Sequence, residues 1–99
     1  MPKCGGLSDP KPADADTQQL CDSVKVEAQQ KTGKNFSVYE AHSFATQVVA
    51  GTNYFIKVHV GDGKHVHLRV FKALPHAGGD IKLHGLQEEK TLHDPIEHF

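Results

Sequence analysis

Residues 53–71 read NYFIKVHVGDGKHVHLRVF, and this stretch decides the fold. Tyr54, Ile56, Val58 and Val60 alternate with Phe55, Lys57 and His59, the period-two pattern of a strand with one face on a core. Val66, Leu68 and Val70 repeat the pattern against His65, His67, Arg69 and Phe71. Gly61-Asp62-Gly63 between the two runs reads as a hairpin turn. An odd-length loop sets Val60 opposite Val66 and Val58 opposite Leu68, which keeps every aliphatic side chain on one side. A slip of one residue would turn them all to the other face, so the register is well specified.

Upstream, Phe36 to Thr46 is rich in aromatic and β-branched residues but alternates imperfectly. Phe36 and Val38 share a face with His42 and Phe44, while Tyr39 and Ala41 lie on the other, and a bulge near Ala41 reconciles them. Downstream, Ile81, Leu83 and Leu86 supply a last strand after a loop rich in Gly, His and Pro. Ahead of the strands, Leu20, Cys21, Val24 and Ala28 form one stripe of an amphipathic helix. Asp14 stands at its N-cap, Asp16 complements the positive end of the helix, and Gly33 stops it. The spacing predicts one helix over 14–32. Pro2, Pro10, Pro12 and the Gly5-Gly6 pair keep the first dozen residues out of any helix, so they read as a mobile arm, flexible over about residues 1–8. One helix followed by a run of strands means an α+β fold, a single helix packed on an antiparallel sheet of about five strands.

The 99 residues suffice for one domain spanning 1–99. Eleven Lys and Arg against twelve Asp and Glu leave no basic field for phosphate backbones, which excludes nucleic acid as a partner. No run approaches the ~18 apolar residues of a membrane span, and no apolar signal core opens the chain. Two cysteines are too few for the disulfide framework of a small secreted domain, so a reducing cytoplasm is the expected location. Eight histidines carry the net charge from −1 to +7 when all are protonated.

Three segments are left over once the core is built. The first is the arm, Lys3-Cys4-Gly5-Gly6-Leu7. The second is Gln47-Val48-Val49-Ala50-Gly51, where two adjacent valines cannot both face the core. Either a bend exposes apolar surface there, or the strand continues with one valine at a sheet edge. The third is Leu74-Pro75-His76, where proline ends strand pairing.

Gln47 to Gly51 matches the QxVxG hairpin of the cystatins, inhibitors of papain-like cysteine proteases. Thr46 to Val60 (TQVVAGTNYFIKVHV), Val66 to Phe71 (VHLRVF) and Leu74-Pro75-His76 resemble the stefins, the type 1 cystatins. Gly5-Gly6-Leu7-Ser8, Lys11-Pro12-Ala13 and the Cys4-Gly5 pair resemble the same group, so the likeness covers essentially the whole chain. It implies a tight, reversible, competitive inhibitor of lysosomal cathepsins, without cofactor or metal. It also implies a wedge for the protease cleft, with Lys3, Cys4 and Gly5 in the non-primed subsites. Gln47, Val48, Val49, Ala50 and Gly51 would lie near the catalytic centre, and Leu74, Pro75 and His76 on the primed side. The implied state is a monomer, with exchange of the first hairpin as an accessory state; the place of Cys4 on the arm beside Lys3 adds an expected disulfide-linked dimer under oxidation.

Rival functions draw less support. A cysteine nucleophile needs a histidine base and oxyanion donors beside it, whereas Cys4 lies on the arm and Cys21 on the apolar stripe of the helix. No HExxH, paired carboxylates or phosphate-cradling loop occurs in the sequence. His65 and His67 share a strand face, with His59 beside His67 in the expected register, a geometry that suits Zn²⁺ or Cu²⁺. A solvated strand face that uses histidine explains them more simply.

Overall fold

The computed structural model describes residues 7–49, 51–74, 78–97 and 99. Five antiparallel strands form one sheet in the order β1-β2-β3-β4-β5. They are β1 (Lys11–Pro12), β2 (Glu40–Val49), β3 (Gly51–His59), β4 (His65–Lys72) and β5 (Ile81–Lys90), with helices α1 (Ala15–Ser23) and α2 (Lys25–Thr32) between β1 and β2. The expected α+β layer is present.

The helix starts where its cap chemistry places it. The Asp14 carboxylate accepts from the Thr17 backbone N–H at 2.9 Å and from its hydroxyl at 2.8 Å. These bonds hold the carboxyl below its ordinary pKa. Gly33 closes the far end at φ +70°. The single helix expected over 14–32 is instead two segments that meet at Val24, whose φ of −110° and ψ of 9° lie outside the helical well. The break leaves the stripe intact. Leu20, Cys21, Val24 and Ala28 are all buried, and Ala28 N–H still bonds Val24 O at 2.9 Å.

That stripe packs on Ile56, Val58, Val66, Leu68, Val70 and Leu83. Register departs from expectation by two residues. Val58 pairs with Val66 and Ile56 with Leu68, and His59 faces His65 while Lys57 faces His67. A shift of two preserves the face of every side chain, so the aliphatic layer survives. The bulge in β2 falls between Ala41 and Ser43, as its alternation required. Phe36 and Tyr39 precede the strand and stack on each other at 5.6 Å, both in the same core rather than on opposite faces.

Two further corrections concern one edge and one face of the sheet. Within the supposed arm, Lys11 and Pro12 pair with Phe44 and Ser43, and Ser8 N–H donates to Thr46 O at 2.8 Å. The face away from the helix is not solvated. Asn53, Phe55, Lys57, His65 and His67 are buried there, where the chain beyond β5 returns. Lys57 Nζ donates to Leu92 O and Arg69 to Phe99 O, both at 2.5 Å. The Phe99 ring packs edge-on against Phe55 at 5.6 Å.

Candidate functional site

Antiparallel pairing brings the β2–β3 hairpin and the β4–β5 connection to one end of the sheet. Val48 pairs with Thr52, and Val49 with Gly51 at the tip. One strand over, Lys72 pairs with both Thr52 and Ile81, and the next loop is closed by Ala73 N–H to Asp80 O at 2.9 Å and Gly79 N–H to Leu74 O at 3.1 Å. Pairing of Ser8 with Thr46 and Lys11 with Phe44 means that the chain, traced backward from Pro12 to Leu7, runs toward this same end.

Val48 is 77 % exposed, Val49 44 % and Leu74 39 %. The valines point to opposite faces of the hairpin, as neighbours on a strand must. Both are nevertheless uncovered. Each of the two alternatives left open by the sequence holds in part: the strand continues through Val49 without a bend at the valines, yet both valines are exposed. Three of the five large apolar side chains exposed among the described residues sit at this end; the others are Val26 and Leu92.

Gln47 and Gly51, expected beside them, are buried instead. Asn53 Nδ2 donates to Gln47 Oε1 at 3.0 Å across the hairpin. Gly51 has φ +129°, and a Cβ there would stand 2.6 Å from Lys72 O and 2.8 Å from the Phe71 ring. Only glycine fits that gap with that backbone. Gln47, Asn53 and Gly51 thus hold the tip in shape while Val48 and Val49 present it. Asn53 and Phe71, which hold the tip, were not among the expected site residues; the pairing of Gln47 with Asn53 across the hairpin is what brings Asn53 in. Lys3, Cys4, Gly5, Ala50, Pro75 and His76 lie outside the described residues.

The exposed tip residues Val48, Val49 and Leu74 present apolar surface and carry no ionisable group. Cys21 is fully buried in the core, and burial pushes its thiol up to about 12, which removes it as a nucleophile at neutral pH. His65 and His67 are buried, not solvated, and both are held below the ordinary imidazole pKa mainly by desolvation, His67 at about 4. Among the described residues no group of three or more His, Cys, Asp or Glu is placed to hold a metal ion, and no helix is long and apolar enough to cross a membrane.

A family model described as "Cystatin domain" matches residues 5–93. Over 96 residues, 97 % of the chain, the sequence is 54 % identical to Cystatin-B of Oplegnathus fasciatus, covering 96 % of that protein. It is 51 % identical to Cystatin-B of Paralichthys olivaceus and 50 % to Cystatin-B of Homo sapiens, in each case over 97 % of this chain and 98 % of the relative.

Proposed function

The chain belongs to the cystatin family and is an inhibitor of cysteine proteases, not an enzyme; we propose that it acts on papain-like proteases, lysosomal cathepsins among them, by plugging the active-site cleft. The observation that carries this mechanism is the cluster of exposed apolar side chains, Val48, Val49 and Leu74, on two adjacent hairpins at one end of the sheet. Burying each against a cleft wall stabilises the complex by ~1–2 kcal/mol. Because Gln47–Asn53 and the Gly51 contact preform the first hairpin, little conformational freedom is lost on docking. Gln47 and Gly51 serve as supports in this scheme, and Val48 and Val49 as contacts.

The arm residues Lys3, Cys4 and Gly5 fill the non-primed subsites, and Pro75 and His76 extend the Leu74 contact on the primed side. The inhibitor presents no scissile carbonyl in attack geometry to the protease thiolate, so it is not turned over. It works as a monomer in the cytoplasm. Cys4 becomes a site of disulfide-linked dimers under oxidation, whereas Cys21 is shielded by the core. Titration of papain and several cathepsins with the purified protein tests the scheme. Reversible inhibition competitive with substrate is expected, and its absence at micromolar inhibitor overturns it.

A further inference from the structure

Ser8 makes more contacts with β2 than its place in a proline-rich lead-in requires. Its backbone N–H donates to Thr46 O at 2.8 Å. Its hydroxyl accepts from the Thr46 N–H at 3.0 Å and from the Thr46 hydroxyl at 3.3 Å, and donates to Asp9 O at 3.3 Å. One donor and two acceptor sites are the whole capacity of a serine hydroxyl, and all are used. Both edge-facing backbone groups of Thr46 are thereby satisfied by one residue. Pro10 and Pro12 have no N–H to give to the sheet edge; the bonds at the two ends of this segment come from Ser8 and from Ala13, whose N–H reaches His42 O at 3.1 Å.

Thr46 lies two residues before Val48, the most exposed apolar side chain of the hairpin tip. Anchoring Ser8 there fixes where the preceding chain departs from the sheet. We propose that Ser8 is a positioning residue for inhibition: it clamps the chain to β2 through Thr46 and so fixes the point from which the segment before Leu7 engages the protease. This rests on the cleft-plugging function proposed above. Without the clamp, the residues around Ser8 would also have to be ordered on docking, at an entropic cost.

The experiment is a double-mutant cycle read as dissociation rates from papain. It compares the full chain, Ser8→Ala, a chain lacking residues 2–6, and the shortened chain carrying Ser8→Ala, with Ser8→Thr as the conservative variant. Ser8→Ala is expected to speed dissociation about three- to tenfold in the full chain, the worth of one or two side-chain hydrogen bonds. It should have no effect in the shortened chain, which has nothing left to position, and Ser8→Thr should keep the slow rate. A purely structural contribution of Ser8 would act equally in both backgrounds, and that result overturns the proposal. So does an unchanged rate for Ser8→Ala in the full chain, or a loss with Ser8→Thr as large as with Ser8→Ala. In each of these cases the full chain still inhibits papain; failure of the full chain to inhibit would overturn the function itself.

Discussion

At the tip of the first hairpin, neighbouring residues carry opposite obligations. Val48 is 77 % exposed and supports nothing in the core, so Val48→Asp should leave the urea midpoint unchanged. In the complex it would place an unpaired carboxylate in a dry cleft, which costs roughly 2–4 kcal/mol, about 30- to 1000-fold in the inhibition constant for papain. A loss of stability with no loss of inhibition would return Val48 to the core. Gly51 behaves differently, because its missing side chain is what lets β3 meet β4. Gly51→Ala drives a methyl group to within 2.6 Å of Lys72 O at a φ of +129°. Stability should fall by about 1–3 kcal/mol, and inhibition should weaken with it as the tip shifts. Equal urea midpoints for Gly51→Ala and the parent would contradict this packing. The two valines were legible as misfits because period-two alternation cannot bury neighbours. The inward role of Gln47 was not, since its hydrogen bond depends on Asn53 across the hairpin.

At the scale of elements, what could be read in advance was the set of buried stripes, and what could not was where their geometry breaks. Leu20, Cys21, Val24 and Ala28 were identifiable as one face, yet nothing in their spacing marks the interruption at Val24. The β4–β5 pairing hides a similar irregularity. His65 faces Lys90 while His67 faces Gln87, so β5 holds one extra residue in this stretch, with a second where Arg69 faces Gly85 and Val70 faces Leu83, and Glu89 in the first takes φ +58°. A bulge leaves no trace in hydrophobic alternation when its residues, here Glu88 and Glu89, are polar. It does leave strain, since a side chain disfavours the left-handed region. Glu89→Gly is therefore expected to stabilise the protein by about 1 kcal/mol, measured by urea unfolding at pH 7. Glu88 is left in place by this change, so its 2.9 Å ion pair with Lys34 is retained. A destabilised Glu89→Gly variant would refute the bulge geometry.

For the molecule as a whole, the decisive feature is that the sheet is covered on both faces, by the helices on one and by the chain beyond β5 on the other. Alternation within β3 and β4 showed only the first cover, because lysine and histidine on the second face look solvated until Leu92 and Phe99 return to meet Lys57 and Arg69. His67 marks the cost of that second cover. It is 1 % exposed, neither ring nitrogen has a hydrogen-bond partner among the described residues, and Lys57 and Lys90 add repulsion to its desolvation, so its pKa falls from 6.5 to about 4. His65 is shifted in the same direction, chiefly by burial and also by the charges of His59, Lys57 and His42. A depressed imidazole pKa means that the unfolded chain binds the proton first. Stability is then complete above the unfolded pKa near 6.5 and is lost as pH falls from there toward 4. Between pH 7 and pH 5, His67 alone should remove about 2 kcal/mol. Urea unfolding at the two pH values should show that loss in the parent. In His67→Leu, which carries no titratable group at this position, the loss should shrink by about the same amount. If both proteins lose stability equally, His67 keeps its proton equilibrium on folding, and the acid response arises from other groups.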